Sequence, residues 1–234
     1  MKVIGHRGAS ECHPENTLAA FQAAWACGAD GVELDIRLSR DGEVVVMHDA
    51  SLLRTAGLAA MVSDRTWAEL AGLDAGRWKG DAFAGEKIPC LRDVLAVAPS
   101  GSELFVELKE GAPLLDALAS MDLPECVRLL TFDLDLACQL RENFPTISVW
   151  LNVILDSPEQ TELVIEDAER SGLSGINVRW PGRGHAAWLE PFSEVDLPLY
   201  LWGSIPRADL ELLSSLGVEG VMVDDPAAFL ESLS

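Results

Sequence analysis

Basic residues are scarce in this sequence. Seventeen Lys and Arg stand against 38 Asp and Glu, which gives a formal net charge of −21. A chain of this charge repels polyanions, so we expect neither nucleic acid nor an anionic membrane surface as a partner. An anionic small molecule would need local cations at its site to overcome the same repulsion.

Paired cysteines and long apolar runs are also lacking. The five cysteines are scattered, odd in number and contain no CxxC pair, so the sequence predicts neither a zinc site nor a disulfide framework. A reducing, cytoplasmic location is therefore expected. No apolar stretch is long enough to span a bilayer, and we expect no stable membrane association. The first strand is expected near residue 3, which leaves no length for a signal peptide. The sequence does not indicate an oligomeric state.

What the sequence does contain is an alternation of short β-branched runs and longer helical stretches. It predicts strands at 3–6, 31–37, 43–48, 103–108, 127–131, 147–151, 174–178, 198–202 and 219–223. It predicts helices at 16–27, 91–98, 112–120, 133–143, 158–171, 185–190, 206–216 and 226–233. Repeated βα units over 234 residues are typical of a parallel sheet, and eight of them favour a (β/α)8 TIM barrel. We expect one α/β domain over 1–234.

Residues 50–90 break this rhythm, because they have weak periodicity and several glycines. We interpret them as a small insertion after the second strand region, placed over the mouth of the barrel.

Charged residues alternate with apolar ones on two predicted strands. In GVELDIRL, Glu33, Asp35 and Arg37 share one face, and LFVELKEG places Glu107 and Lys109 together. Carboxylates this close repel one another unless a cation lies between them. Glu33, Asp35 and Glu107 therefore predict a site for one divalent metal ion, Mg²⁺ or Ca²⁺. The alternative is that Glu33 or Asp35 pairs with Arg37 at a solvent-facing edge.

Two histidines end predicted strands, where active sites of such barrels lie. His6 and His48 can serve there as general acid and base, or each can simply cap a strand end. Arg7 suits a phosphate oxygen or a salt bridge to Glu15 or Glu33. Lys109 can hold Glu107 or contact a substrate. His13 and His185 occupy loops, and we assign them no role.

Taken in order, the motifs resemble those of the glycerophosphodiester phosphodiesterases over nearly the whole chain. The matching segments are HRGAS at 6–10, PENT at 14–17, GADGVELDIRLSRDG at 28–42, VVMHD at 45–49, IPCL at 88–91, VELK at 106–109, TFD at 131–133 and GVEGVMVDDP at 217–226. The resemblance implies a (β/α)8 barrel that hydrolyses glycerophosphodiesters to sn-glycerol 3-phosphate and an alcohol with a divalent metal. It implies that His6 and His48 are catalytic and that Arg7 binds the phosphate. It implies that the metal is held by Glu33, Asp35 and Glu107. Lys109 matches the lysine of the family's ELK motif, and Glu15 and Asn16 match a pair that fixes the first loop.

The chain also departs from the family pattern. The family often shows W-T-V-N after the seventh strand, whereas this chain has Trp202-Gly203-Ser204-Ile205. We expect Trp202 to be a wall for the glycerol moiety, or else rim packing, and the Asn contact to be lost. This change leaves open another phosphodiester, such as a lysophospholipid or a sugar phosphodiester. A barrel that binds a phosphodiester without turnover is a second alternative.

Overall fold

The computed structural model describes residues 1–233, so Ser234, the last residue of the expected domain, lies outside the described residues. Its strands are β1 (Lys2–His6), β2 (Gly31–Leu38), β3 (Val44–Val46), β4 (Glu103–Leu108), β5 (Val127–Thr131), β6 (Ser148–Val153), β7 (Gly175–Arg179), β8 (Leu199–Trp202) and β9 (Gly220–Val223). Its α-helices are α1 (Leu18–Ala26), α2 (Leu53–Ala56), α3 (Trp67–Leu70), α4 (Leu91–Val97), α5 (Ala112–Ala119), α6 (Leu134–Asn143), α7 (Glu159–Arg170), α8 (Leu210–Ser215) and α9 (Pro226–Glu231).

Eight of the strands form a closed parallel barrel in the order β1-β9-β8-β7-β6-β5-β4-β2. The barrel closes because β1 pairs in parallel with β2, with His6 opposite Glu33. Strand β3 lies outside the closed ring and runs antiparallel to β2. The predicted (β/α)8 TIM barrel is thus confirmed. Within residues 1–233, no helix is both long and apolar enough to cross a membrane.

The alternation along β2 separates two cores. Val32, Leu34 and Ile36 are fully buried in the large cluster beneath the helices. The barrel interior has its own smaller cluster, made of Ile4, Phe105, Leu130, Trp150, Tyr200 and Met222. Its rings lie edge-to-face or tilted at 4.9 to 5.4 Å. This cluster fills the barrel beneath the carboxyl ends of the strands, so the polar residues of β2 and β4 lie above an apolar floor.

Two predicted helices take a different form. The helix expected at 185–190 is instead a run of 3₁₀ turns over Arg183–Glu194, because His185 leaves helical geometry and Pro191 cannot donate a backbone hydrogen bond. The helix expected at 206–216 begins as a separate 3₁₀ turn at Arg207–Asp209 before α8.

Residues 50–90 contain two short helices, α2 and α3, and two 3₁₀ turns. They share with β3 a small apolar cluster made of Val45, Met47, Leu52, Val62, Leu70, Ala75 and Ile88. They also contact the loop that follows β1. Lys79 Nζ donates to the Ser10 carbonyl at 2.7 Å, and the Phe83 ring lies 5.2 Å from that of His13.

Candidate active site

Three buried carboxylates meet where β2 and β4 run side by side. Asp35 is directly opposite Glu107 in the parallel ladder, and Glu33 lies two residues earlier on the same face. Glu33, Asp35 and Glu107 are only 2%, 1% and 7% exposed. One oxygen from each lies within 4.8 Å of the others. The strand register therefore builds the carboxylate cluster that the alternation predicted.

The electrostatics of this cluster favour a bound cation. Burial, together with the charge of Asp35, raises the pKa of both Glu33 and Glu107. Glu33 Oε1 is buried and has no hydrogen-bond partner among residues 1–233. A buried oxygen without a partner is costly, and three oxygen donors match a hard divalent ion. The residues present therefore fit the metal that the sequence predicted.

Two cations partly neutralise the cluster. Lys109 Nζ lies 3.0 Å from Asp35 Oδ1 and also donates to Glu107 Oε1. Arg7 Nε lies 3.4 Å from Asp35 Oδ2. Burial alone would raise the pKa of Asp35, but Lys109 and Arg7 outweigh it and hold that pKa below its usual value. Lys109 thus contacts the carboxylates and also lines the cavity described below.

The loop after β1 is folded tightly against this cluster. Arg7 and Asn16 both adopt left-handed backbone conformations, with φ of 57° and 58°. The Arg7 backbone N–H donates to Glu33 Oε2 at 3.0 Å. Asn16 donates its side-chain amide to Asp35 Oδ2 at 2.7 Å and accepts from the Asp35 N–H at 3.2 Å. The loop therefore orients two of the three carboxylates. An amide side chain is needed at position 16 because it must both donate to Asp35 and accept from it.

Each of the two histidines has a carboxylate partner. His6 ends β1, whereas His48 lies two residues beyond β3, which ends at Val46 and not at residue 48 as predicted. His6 Nδ1 lies 2.7 Å from Asp224 Oδ1, and His48 Nδ1 lies 2.8 Å from Asp49 Oδ1. Burial would lower the pKa of His6, but the Asp224 hydrogen bond and nearby Glu33 raise it overall. Burial dominates at His48 and lowers its pKa. Both carboxylates engage Nδ1, and Nε2 forms no hydrogen bond in either ring, although Nε2 of His6 lies 3.9 Å from Glu33 Oε2. Nε2 is therefore the atom available for proton transfer.

Arginines connect the histidine at β3 to the first loop. Arg54, from α2, lies 2.7 Å from Asp49 Oδ2 and 2.5 Å from Glu15 Oε2. Glu15 also accepts from Arg7 Nη1 at 2.9 Å. Of the two salt-bridge partners considered for Arg7, Glu15 and Glu33, it is Glu15 that pairs with its side chain. The Arg7 guanidinium also lines the cavity.

Arg37 does not pair with Glu33 or Asp35, which was the alternative to a metal site. It pairs with Glu110 at 3.1 Å and donates to the His48 carbonyl from Nε and Nη2 at 2.9 and 2.8 Å. Arg37 therefore holds the strand end that presents His48 and leaves Glu33 and Asp35 to the cluster.

All these groups open onto one cavity of about 130 Å³ at the carboxyl ends of the strands. The cavity is lined by both histidines and by Glu33, Glu107, Arg7, Lys109, Asn152, Asn177, Phe132 and Trp202. Trp202 packs edge-on against Phe132 at 5.8 Å, and Phe132 is 46% exposed. The predicted site residues therefore lie around a single cavity, apart from Asp35, which lies behind its wall in contact with Lys109 and Arg7.

Sequence reasoning missed three residues of this site. Asn152 donates to Glu107 Oε2 at 3.0 Å, and Asn177 donates to Asn152 Oδ1 at 2.7 Å. Both are polar residues inside otherwise apolar strands, which was the available signal. Asp224, the partner of His6, follows β9 in the quoted GVMVDDP segment but gave no sign of which residue it contacts.

Comparisons with known proteins agree with this geometry. The sequence model described as the glycerophosphoryl diester phosphodiesterase family matches residues 6–228. A glycerophosphodiester phosphodiesterase of Caldanaerobacter subterraneus is 30% identical over 97% of this chain and 96% of that protein.

Solved structures give the same result. A phosphodiesterase of Oleispira antarctica, in complex with the product sn-glycerol-3-phosphate, has a TM-score of 0.84 and 26% identity, and covers 100% of this chain and 96% of its own. The glycerophosphodiester phosphodiesterase of Thermotoga maritima has a TM-score of 0.80 and 29% identity, with 98% and 96% covered. The chain therefore belongs to the glycerophosphoryl diester phosphodiesterase family and is a phosphoric diester hydrolase.

Proposed function

We propose that this protein hydrolyses glycerophosphodiesters to sn-glycerol 3-phosphate and an alcohol, with one divalent ion and with His6 and His48 as general acid and base. The observation that supports this most directly is the shared cavity. It combines two carboxylate-backed histidines, buried metal-type carboxylates and two cations. A site that only binds a phosphodiester has no need of two such histidines.

Glu33, Asp35 and Glu107 would hold the metal, either Mg²⁺ or Ca²⁺. Such an ion would supply positive charge that offsets the negative charge of the phosphodiester in the transition state.

The chain's own cations bind the substrate phosphate. Arg7 lines the cavity wall: its Nη1 donates to Glu15 and its Nε lies against Asp35, whereas its Nη2 has no hydrogen-bond partner among the described residues. Arg7 therefore has donor capacity left for a phosphate oxygen. Lys109 adds a second positive charge at the same wall. Together they offset the repulsion that a chain of charge −21 exerts on an anionic substrate.

The histidines move the protons. One imidazole takes the proton of the attacking water or glycerol 2-hydroxyl, and the other protonates the leaving alkoxide. Attack by the 2-hydroxyl would give a cyclic phosphate, which water would then open to sn-glycerol 3-phosphate. Asp224 and Asp49 accept from Nδ1, so Nε2 of each ring is the atom available for proton transfer.

Asn177 and Trp202 suit the glycerol moiety. Asn177 Oδ1 is buried and lacks a hydrogen-bond partner within residues 1–233, so it can accept from a glycerol hydroxyl. Trp202 and Phe132 give an apolar wall beside it. The complex of the Oleispira antarctica phosphodiesterase with sn-glycerol-3-phosphate supports glycerol recognition in this fold.

The test is the release of sn-glycerol 3-phosphate from glycerophosphocholine, glycerophosphoethanolamine and glycerophosphoinositol, with and without EDTA. We expect metal-dependent release, and a loss of at least about a hundredfold in turnover for His6→Ala and His48→Ala. His13→Ala, outside the cavity, is the matched control, and circular dichroism checks that each variant folds. Near-wild-type turnover in either cavity variant would refute the roles of the histidines.

The same assay separates the alternatives. Release from lysophospholipids or sugar phosphodiesters alone would show that the changed loop at 203–205 has altered the substrate. Metal binding with no release from any diester would indicate a non-catalytic barrel.

Two further interpretations accompany this proposal. Residues 50–90 would act as an insertion over the mouth of a single-domain barrel, which the Arg54 and Lys79 contacts to the first loop support. A cytoplasmic location stays a prediction, and the five free cysteines are consistent with it.

A further inference from the structure

Arg179 is unusual among the basic residues of this chain. Of the 17 Lys and Arg side chains, only Arg179 and Arg207 form no hydrogen bond, ion pair or ring contact with any residue in 1–233. In a chain with 38 acidic residues, a guanidinium without a carboxylate partner is available for an anion from outside.

Arg179 lies at the carboxyl end of β7, on the same strand as a residue of the catalytic cavity. It ends β7 two residues after Asn177, so both side chains leave the strand on the same face, about 7 Å apart along it. It is opposite Trp202 in the ladder with β8. Its Cγ lies 3.7 Å from the point where a Cβ on Gly203 would be, so the glycine leaves the space beside the arginine open.

A second cavity opens at this position. Its volume is about 350 Å³, and Ile154, Leu155, Trp180 and Trp188 line it together with Arg179 and Asp156. Ile154 directly follows β6 and lies two residues beyond Asn152, as Arg179 lies two residues beyond Asn177, and both asparagines line the catalytic cavity. The two cavities share no lining residue, but strands β6 and β7 lead from one to the other, so the second cavity lies beside the catalytic cavity at the carboxyl ends of these strands.

This cavity presents one carboxylate and one guanidinium on an aromatic wall, to which His185, 4.4 Å from the Trp188 ring, also belongs. Asp156 and Arg179 form no ion pair with each other, and no described residue neutralises either side chain. Two separate, unneutralised charges match a ligand that has both an ammonium and a carboxylate. A guanidinium binds a carboxylate through two parallel hydrogen bonds, and an ammonium is favoured beside a carboxylate and over an indole face.

We propose that this second cavity binds the alcohol half of the substrate, and that Arg179 and Asp156 select an alcohol bearing both a carboxylate and an ammonium, as serine does. This inference rests on the proposed function, because it places the phosphodiester in the adjoining catalytic cavity. Ethanolamine offers only the ammonium, and glycerol offers neither charge. Arg179 is thus a specificity-determining residue whose contact is with the leaving alcohol.

The experiment compares kcat/KM for glycerophosphoserine, glycerophosphoethanolamine and glycerophosphoglycerol in the metal-loaded protein. Serine and ethanolamine differ by the carboxylate alone, so their ratio measures the Arg179 contact. We expect wild type to prefer serine over ethanolamine by about tenfold or more, since a charged hydrogen-bonded pair contributes at least that much. Arg179→Gln should bring this ratio close to one, mainly through KM, and Arg179→Lys should keep part of it.

Two more variants make the test specific. Asp156→Asn should reduce the preference for ethanolamine over glycerol, because it removes the partner of the ammonium. Arg207→Gln is the matched control, because Arg207 is the other unpaired arginine and lines a separate cavity with Ser204 and Asp225. It should leave all three ratios at wild-type values.

The outcomes separate the two proposals. Turnover with equal serine and ethanolamine rates in wild type, or a ratio unchanged by Arg179→Gln, overturns the inference and leaves the proposed function intact. No release of sn-glycerol 3-phosphate from any of the three diesters overturns both. Arg179 has no described partner to lose, so its variants should fold, and thermal unfolding confirms this.

Discussion

The carboxylate cluster should stabilise the protein when a metal ion is bound and destabilise it when no metal ion is bound. We compare wild type with Glu33→Gln, which replaces a buried carboxylate by an amide of nearly the same volume. Thermal unfolding is followed by circular dichroism across a titration of Mg²⁺ and of Ca²⁺, after treatment with a chelator.

The expected gain for wild type follows from binding linkage. An ion present at 100 times its Kd stabilises the folded state by about 2.7 kcal/mol. Unfolding entropy is about 2.1 cal/mol/K per residue, or about 0.5 kcal/mol/K for 234 residues, so Tm should rise by about 5 °C. Glu33→Gln loses one of three ligands. If its affinity falls by about a hundredfold, its Tm rises by less than about 1 °C at the same ion concentration.

Without metal, Glu33→Gln should be the more stable of the two proteins. The pKa of Glu33 is raised by burial and by Asp35, and that of Glu107 is raised by the same two causes. From about pH 4.5 upward the folded state therefore holds more protons than the unfolded state, so the stability of the metal-free protein falls as pH rises through the raised pKa values. Glu33→Gln removes one of these groups and should be more stable than metal-free wild type at neutral pH, with a shallower pH dependence.

The control is Asp122→Asn, an exposed carboxylate that is not part of the cluster. It should follow wild type in both series. Equal Tm gains for wild type and Glu33→Gln would refute the ligand set, and a less stable metal-free Glu33→Gln would refute the account of repulsion.

Two further predictions concern a partner residue and the barrel interior. Asp224→Asn removes a charge that raises the pKa of His6, so the corresponding limb of the kcat/KM profile should move to lower pH; an unchanged profile would contradict the positioning role. Gly175→Ala would place a Cβ 2.5 Å from the Trp150 ring, so it should lower the free energy of unfolding in urea by about 1–3 kcal/mol. The control Gly184→Ala has open space around its Cβ and should change that free energy by less than about 0.5 kcal/mol.

The fold was predictable because local patterns carry it. The charged and apolar residues of β2 alternate with period two, and that alone separated the outer core from the carboxylate face. The 3₁₀ run over Arg183–Glu194 was not predictable in the same way. Its composition is compatible with a helix, and the departure at His185 depends on the surrounding tertiary structure.

The candidate site was predictable to the extent that its residues lie on strands with a recognisable pattern. Glu33, Asp35 and Glu107 met these conditions, and the register of β2 with β4 brought them together. Asn152 and Asn177 were visible as polar residues on apolar strands, but their hydrogen bonds depend on which strands are neighbours. The unpaired state of Arg179 could not be inferred at all, because it depends on every acidic side chain within reach.

The contact between His6 and Asp224 joins residues 218 positions apart, one from the first strand and one from just after the last. Chain segments this distant meet only when β9 docks between β8 and β1. During synthesis, the first histidine exists for nearly the whole length of translation before its carboxylate partner emerges from the ribosome. Activity should therefore appear late and all at once during folding, and its recovery after dilution from denaturant can report the final closure of the barrel rather than its early collapse.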